Sequence, residues 1–255
     1  MKQEITISHL VVNGCSFTYC DGLESPATQG WPALLAAKLG VPVANIALGG
    51  TSNDRIYRKT VDYFFADIGS NPFYIMGMTS STRREEYNNT QNMYNPLNLV
   101  SAHRNMVEPW QAEIERLLAE KSDDLVLGKR KLDIWLSIIN LFKANSINYL
   151  MIDMIADNYL LMHELKQRYP KLYEYVMEDE NSLPEFLDFT RPLGKLPCGH
   201  EDADTQIAIA EYIYNAMMER FTVIVNPSDY LRIKDFYTPH DPVPGQNPGY
   251  DDWVL

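Results

Sequence analysis

Three short segments of the chain carry residue types that together could perform nucleophilic chemistry. Residues 13–18 read Asn-Gly-Cys-Ser-Phe-Thr and place Ser16 directly after an apolar, β-branched run. A second apolar run ends at the pair Gly49-Gly50, and His200 lies shortly before a late segment with helical spacing. A serine hydroxyl, backbone N–H groups left uncovered by glycines and an imidazole base are the parts of an acyl-transfer site.

Each segment also has an interpretation without chemistry. Ser16 could lie in an ordinary strand-to-helix loop, one of the two glycines could serve a tight turn with positive φ, and His200 could cap a helix. Cys15, beside Ser16, is interpreted as a small buried residue and not as the nucleophile. The chemical interpretation therefore depends on one scaffold bringing the three segments together.

The surrounding pattern alternates between strands and helices, which favours a parallel sheet covered by helices. The stretch 80–100, rich in Asn, Thr and Arg, is predicted to be a long loop. We expect strands at 5–13, 41–48, 73–76, 147–152 and 221–225, and helices at 31–39, 56–68, 109–121, 125–144, 158–177 (broken near Pro170) and 205–220. Ligands of open α/β sheets bind at the carboxyl ends of the strands, where Ser16 and Gly50 would lie.

In this chain order the segments resemble the SGNH (GDSL-like) hydrolase superfamily over roughly residues 8–220. Residues 14–16, Gly-Cys-Ser, resemble the family's Gly-Asp-Ser block; Gly50 matches its oxyanion glycine and His200 its catalytic histidine. The motif at residues 13–18 resembles that of a group found among uncharacterised phage and bacterial proteins. The resemblance implies a three-layer α/β/α domain with a short parallel sheet, the flavodoxin-like SGNH hydrolase fold.

The resemblance also implies a mechanism. Ser16 would be the nucleophile and His200 the general base, while the backbone N–H groups of Ser16 and Gly50, helped by Thr79, would hold the oxyanion. No cofactor and no metal would be needed. The substrate would be a small acyl ester, such as an O-acetyl group on a carbohydrate.

The chain departs from the family pattern at two positions. Thr79 stands where the third block has an asparagine, and a hydroxyl is a shorter donor than an amide. Pro197 stands where the family has the aspartate that orients the histidine. The sequence therefore leaves several candidates for the group that orients the His200 imidazole: a backbone carbonyl, Asp202, Asp204 or a carboxylate from elsewhere.

Two further residues are candidate substrate contacts, each with a structural alternative. Asn53 could touch substrate or cap a helix, and Arg83 could clamp an anionic group or pair within a solvated charge cluster with Glu85 and Glu86. The remaining cysteines, Cys20 and Cys198, lack the close paired spacing of a zinc site, so we expect no metal.

The organisation predicted from composition is one domain over residues 1–225, with a helical insertion at about 100–145, followed by an irregular arm at 226–255. Four prolines and two glycines lie between residues 239 and 249, which excludes a regular element there. Such an arm could wrap a neighbouring subunit, so a homo-oligomer or a larger particle is a candidate assembly.

Charge and hydropathy limit the classes of protein to which the chain can belong. The 255 residues carry a formal net charge of −12, which disfavours nonspecific binding to nucleic acid. No apolar run is long enough for a membrane span, and the N-terminus lacks the pattern of a signal peptide, so we expect a cytoplasmic or phage virion-associated protein without a membrane partner. Three cysteines fit a reducing compartment.

Two alternatives to an esterase remain. A catalytically degenerate SGNH-fold protein that binds glycans or builds a virion-type structure would explain the two departures. A nucleotide-dependent enzyme would need a glycine-rich phosphate loop, and neither Gly-x-Gly-x-x-Gly nor Gly-x-x-x-x-Gly-Lys-Ser/Thr occurs in the chain.

Overall fold

A computed structural model of the chain describes residues 2–66, 70–88, 93–99, 109–155, 157, 159–184, 186–190, 192–196 and 199–226. Pro197, Cys198 and all but the first residue of the predicted C-terminal arm lie outside this part. No helix within it is both long and apolar enough to cross a membrane.

Strands and helices alternate through most of the chain. In chain order the described elements are β1 (Gln3–Ile7), β2 (His9–Asn13), α1 (Ser16–Tyr19), α2 (Pro26–Gln29), α3 (Trp31–Leu39), β3 (Val43–Asn45), α4 (Asn53–Phe65), β4 (Pro72–Met78), β5 (Arg83–Asn88), β6 (Met93–Asn98), α5 (Pro109–Lys121), α6 (Asp124–Ala144), β7 (Asn148–Asp153), α7 (Tyr159–Arg168), α8 (Pro170–Met177), β8 (Ser182–Leu183), α9 (Phe186–Thr190), α10 (Ala203–Arg220) and β9 (Phe221–Val225).

The central sheet is parallel, with the strand order β3-β2-β4-β7-β8. Counted along the chain, that is the order 2-1-3-4-5 of flavodoxin-like doubly wound folds. The direction of strand addition reverses between β2 and β4, so the crevice at their carboxyl ends is where such folds bind ligands.

Helices cover both faces of the sheet, which makes the domain a three-layer α/β/α structure. Side chains alternate along each strand, so that Leu10 and Val12 face one layer while Val11 faces the other. The first layer contains buried residues of α3, α9 and α10, and the second contains those of α4, α6, α7 and α8. Trp31 and Trp135 are fully buried on opposite sides.

The predicted strand at 5–13 is two strands in different sheets. The break is at Ser8, whose N–H donates to the carbonyl of Asn71 at 3.1 Å. β1 pairs in parallel with β9 in a two-stranded ladder, whereas β2 enters the central sheet. Two consecutive polar residues, Ser8 and His9, stand at the break, but the runs on both sides are apolar and rich in β-branched residues, which is why the pattern predicted a single strand.

The stretch predicted to be a loop contains an antiparallel hairpin, β5–β6, within which Tyr87 pairs with Tyr94. Its strands are polar and lack an alternating apolar face, which is why the pattern predicted a loop. The ion pair between Arg58 and Glu85, 2.9 Å long, fixes the hairpin to α4. Helix α6 packs on the sheet and connects β4 to β7, as the crossover helix of two parallel strands does. The elements inserted between β4 and this helix are β5, β6 and α5.

Candidate active site at the carboxyl edge of the sheet

Ser16 is the first residue of the one-turn helix α1, three residues after β2 ends. The turn is tight because Gly14 has no side chain: a β-carbon there would overlap the Thr18 hydroxyl and lie 3.0 Å from the carbonyl oxygen of Gly77. Ser16 is 4% exposed. Because α1 follows β2 directly, Ser16 lies at the carboxyl edge of the sheet, beside the crevice between β2 and β4.

The glycine pair is joined to the same turn. The N–H of Leu48 donates to the carbonyl of Gly14 at 3.1 Å, and the Asn45 amide donates to the carbonyl of Thr18 at 3.2 Å. Gly50 has φ +71°, a conformation that other residues adopt at a cost. The loop after β3, which carries Gly50, thus lies beside the Ser16 turn.

Thr79 follows β4 directly and is held by Asn53. The Thr79 N–H donates to the Asn53 carbonyl oxygen at 2.9 Å, and the Asn53 amide nitrogen donates back to the Thr79 carbonyl at 3.0 Å. The backbone N–H of Thr79 is therefore occupied. Its hydroxyl is buried and has no hydrogen-bond partner among the described residues, so only the side chain can serve an oxyanion.

Asn53 does not cap α4, which was one of the two interpretations of this residue. It is 3% exposed, with its amide committed to the Thr79 backbone. The cap of α4 is Ser52, whose hydroxyl accepts from the N–H of Arg55 at 3.3 Å. Asn53 therefore positions the Thr79 loop.

A closed turn carries His200. The N–H of Leu196 donates to the carbonyl of His200 at 2.7 Å, and the turn is flanked by the ion pair of Lys195 and Glu201 at 2.6 Å. Gly199 has φ +85°, which suits a tight turn. The His200 ring packs on the ring of Phe17, with centroids 5.0 Å apart, so His200 contacts the neighbour of Ser16.

Ser16 and His200 are near each other but not hydrogen bonded. No hydrogen bond of the Ser16 hydroxyl occurs within the described part of the chain. In ligand-free sites the bond between nucleophile and base is often long and tightens when substrate binds.

Of the two acids predicted near His200, Asp202 is engaged elsewhere and Asp204 is exposed. Asp202 caps α10 by accepting from the N–H of Thr205 at 2.9 Å, a bond that also lowers its pKa. Asp204 is exposed in the first turn of the same helix. The family position, Pro197, lies outside the described residues.

Asp21 is a carboxylate beside the site that the sequence analysis did not single out. Burial raises the pKa of Asp21 overall, against the opposing charges of His200 and then Arg83. It follows Ser16 by one turn and precedes Gly22, and this proximity in the first motif was the available signal.

Arg83 begins β5 at the mouth of the crevice. One of its guanidinium nitrogens, Nη1, is buried and has no hydrogen-bond partner in the described part of the chain. Glu85, one of the two predicted partners, pairs with Arg58 instead; the side chain of Glu86 lies outside the described part. Arg83 therefore offers a donor to the site beside Asp21.

A buried ion cluster supports the loop after β4 from below. Lys131 donates to Asp153 at 2.9 Å and to Asp157 at 3.1 Å, and all three side chains are at most 3% exposed. Asp157 also accepts from the N–H of Ser81 at 2.9 Å. Burial raises the pKa of Asp153 to about 6. The sequence pattern gave no signal of this cluster.

Among the described residues no group of three or more His, Cys, Asp or Glu side chains is arranged to hold a metal ion. Cys15 is buried in the core. The Cys20 thiol donates to the Gln206 carbonyl oxygen at 3.3 Å, and burial raises its pKa. Both sulfurs thus belong to the packing behind the site.

Solved structures with a similar backbone course include three hydrolytic proteins. The psychrotrophic esterase EstA from Pseudoalteromonas sp. is 12% identical, with 83% of this chain and 97% of that one covered and a TM-score of 0.49. A putative lipolytic protein of the G-D-S-L family from Desulfitobacterium hafniense is 14% identical, with 82% and 99% covered and a TM-score of 0.47. The acetylxylan esterase Axe2 from Geobacillus stearothermophilus is 14% identical, with 85% and 96% covered and a TM-score of 0.45.

In fold, the chain is similar to these proteins. The likeness concerns the course of the backbone and says nothing about which side chains act. No family model and no curated protein sequence matches the chain.

Proposed function

We propose that this protein is a serine ester hydrolase of the SGNH type. The observation that carries the proposal is the convergence of three sequence segments at one edge of the sheet. The Ser16 turn, the Gly50 loop and the His200 turn are joined by the Leu48–Gly14 hydrogen bond and the Phe17–His200 ring contact. That edge is the switch point at which such folds bind ligands.

The reaction would follow the covalent route. His200 takes the proton from the Ser16 hydroxyl as Oγ attacks the acyl carbon, and the carbonyl oxygen becomes an oxyanion. The N–H groups of Ser16 and Gly50 and the hydroxyl of Thr79 hold that oxyanion. His200 then protonates the leaving alcohol, and water attacks the acyl-enzyme to release the acid.

The substrate we propose is an ester of a small acyl group, with acetyl on a carbohydrate as the leading candidate. The limited exposure of Ser16, at 4%, supports a short acyl chain because a long one would need a larger opening. The family resemblance supports a sugar as the alcohol part.

A second candidate is a binding protein on the same scaffold. Two observations favour it: the Ser16 hydroxyl makes no hydrogen bond to His200 in the described part, and Thr79 replaces the family asparagine. Such a protein would hold an acylated glycan at the crevice without cleaving it.

Labelling with a serine-reactive fluorophosphonate, followed by peptide mass spectrometry, separates the two candidates. We expect an adduct on Ser16 that disappears in Ser16→Ala and His200→Ala. Ser137→Ala and His163→Ala are matched controls, because both residues are exposed and lie on helices of the opposite layer. An unlabelled wild-type protein with a native circular dichroism spectrum would contradict the hydrolase and lead to glycan-binding assays.

If Ser16 is labelled, initial rates on acetyl, butyryl and octanoyl esters of one alcohol test the acyl preference. We expect the acetyl ester to have the highest kcat/KM. Acetylated xylo-oligosaccharides and acetylated amino sugars would then test the alcohol part, with released acetate as the readout.

A further inference from the structure

We propose that Asp157 is a positioning residue, which holds the loop after β4 so that the Thr79 hydroxyl can serve the oxyanion. The inference rests on the proposed function and deepens it, because it adds a residue that no motif of the sequence singles out. It concerns the donor at which the chain departs from the family pattern, a threonine in place of an asparagine.

The Thr79 hydroxyl needs a fixed loop because it is a short donor. It reaches less far than an asparagine amide, so a small displacement of the backbone takes it out of hydrogen-bond range. Thr79 is fully buried, and its hydroxyl has no hydrogen-bond partner among the described residues. The position of this hydroxyl therefore depends on the bonds that its backbone and its neighbours make.

Asp157 binds the two residues that follow Thr79. Its Oδ1 accepts from the N–H of Ser81 at 2.9 Å and from the Ser81 hydroxyl at 2.8 Å. The hydroxyl of Ser80 donates to the same oxygen at 3.2 Å. One carboxylate oxygen thus holds the loop after β4 by three hydrogen bonds, and it does so from the segment that follows β7.

The segment after β7 is itself fixed to β4. Met78 pairs with Asp153 at the last position of the parallel ladder, and the N–H of Met154 donates to the Met78 carbonyl at 2.9 Å. The second oxygen of Asp157, Oδ2, accepts from Lys131 at 3.1 Å. The Asp157 carboxylate is therefore anchored through one oxygen and holds the loop with the other.

Asn53 holds the same loop from α4. Its side-chain amide makes two bonds to the Thr79 backbone, at 2.9 and 3.0 Å, whereas Asp157 binds the next two residues. The loop is thus bound at Thr79 and again directly after it, by two separate elements. A loop fixed at two successive points presents its donor without reorganisation, which is what stabilisation of an oxyanion requires.

Burial and charge strengthen the bonds of Asp157. The side chains of Asp157 and Lys131 are 3% and 2% exposed, so little water competes for them, and hydrogen bonds to an ionised acceptor are the stronger ones. Asp153 shares the same cation at 2.9 Å, but within the described part of the chain its carboxylate makes no bond to the loop. Of these two acids, only Asp157 contacts Ser80 and Ser81.

The fluorophosphonate reaction uses the same donor. Ser16 Oγ bonds to phosphorus, fluoride leaves, and the serine proton passes to His200. The phosphoryl oxygen takes the place of the oxyanion, so the labelling rate of Ser16 reports on the Thr79 hydroxyl without knowledge of the natural substrate.

The test measures that rate at increasing concentrations of the probe. Asp157→Ala should lower the rate at saturating probe about tenfold, because a displaced donor fails in the transition state. The half-saturating concentration should change little, since the bound probe does not depend on the donor. Asp153→Ala is the matched control: it also takes one carboxylate from Lys131, but it leaves the three bonds to the loop in place. It should lower the melting temperature and leave the labelling rate nearly unchanged.

Thr79→Val shows whether Asp157 acts through the hydroxyl. In the Thr79→Val background, Asp157→Ala should slow labelling by less than about twofold further, because two changes to one interaction are not additive. Ser81→Ala is a second, milder variant that removes one of the three bonds and leaves the ion cluster whole. It should slow labelling in the same way by a smaller factor, and it takes the place of Asp157→Ala if that variant does not fold.

The outcomes separate the two proposals. Labelling of the wild-type protein with equal losses in Asp157→Ala and Asp153→Ala overturns the role of Asp157 and leaves the hydrolase standing. A loss that persists in full in the Thr79→Val background does the same, since it indicates damage that does not pass through the hydroxyl. Absence of labelling in the wild-type protein overturns the proposed function itself, and this inference with it.

Discussion

The carboxylate of Asp21 lies against the backbone of Gly49, where a β-carbon would be 3.1 Å from its Cγ. This contact explains why two adjacent glycines are present. Gly50 is needed for its φ of +71°, while Gly49 is needed for space. The loop of Gly49 and Gly50, which the sequence predicted to hold an oxyanion, therefore also leaves room for the Asp21 carboxylate.

Asp21→Asn should make the fold more stable at neutral pH. Burial raises the pKa of Asp21 in the folded state, so the ionised carboxyl is less stable there than in the unfolded chain. The protonated Asp21 carboxyl stabilises the fold at pH values below its pKa in the unfolded chain. This stabilisation is lost as the pH rises through its pKa in the folded state. Urea denaturation at pH 7.5 should show a higher free energy of unfolding for the variant, and the gain should shrink toward pH 4. A variant less stable than wild type at pH 7.5 would contradict this.

Thr79→Val should separate activity from stability. The Thr79 hydroxyl is buried without a partner among the described residues, so its removal leaves no broken hydrogen bond. We expect an unchanged or slightly higher melting temperature and a loss of about 100-fold in the rate of ester hydrolysis, the cost of one oxyanion donor. In contrast, Asn53→Ala should lower both, because it removes two bonds to the Thr79 backbone. Unchanged hydrolysis in Thr79→Val would restrict the oxyanion hole to backbone groups.

Arg83→Gln should discriminate between charged and neutral substrates. The Nη1 of Arg83, which has no hydrogen-bond partner among the described residues, can donate to an anionic group, a bond whose loss costs roughly 10- to 100-fold. We expect kcat/KM to fall by that factor for an acetyl ester bearing a carboxylate and to change little for its neutral analogue. Arg84→Gln is the control, since adjacent strand residues point to opposite faces. An equal effect of Arg83→Gln on both esters would exclude an anion clamp.

Lys131→Met should destabilise the fold strongly. It would leave Asp153 and Asp157 buried without their shared cation, a situation that costs about 3–5 kcal/mol. Lys129→Met on the same helix breaks exposed contacts, the pair with Asp133 and a cation–π contact with Tyr169, and should cost about 1 kcal/mol. Chemical denaturation at pH 7 measures both. Similar losses in the two variants would show that the buried cluster does not support the fold.

Much of the fold could be predicted from local pattern. The helix Trp31–Leu39 and the strand Phe221–Val225 have the expected bounds. The helix is marked locally by a proline in its first turn and a glycine after its end, and the strand by its β-branched residues. The hairpin β5–β6 was predicted to be a loop, since polar strands stabilised by pairing with each other and by Arg58 carry no periodic apolar signal.

The candidate site divides in the same way. The sequence by itself determined the motifs around Ser16, Gly50 and His200, because strand ends, glycines and a helix start are encoded by neighbouring residues. Only the tertiary structure decided that Asn53 holds Thr79, that Lys131 neutralises two buried carboxylates, and that the Asp21 carboxylate lies against Gly49. These contacts join residues 22 to 28 positions apart. Their energy comes from burial and charge across packed layers, which no local pattern records.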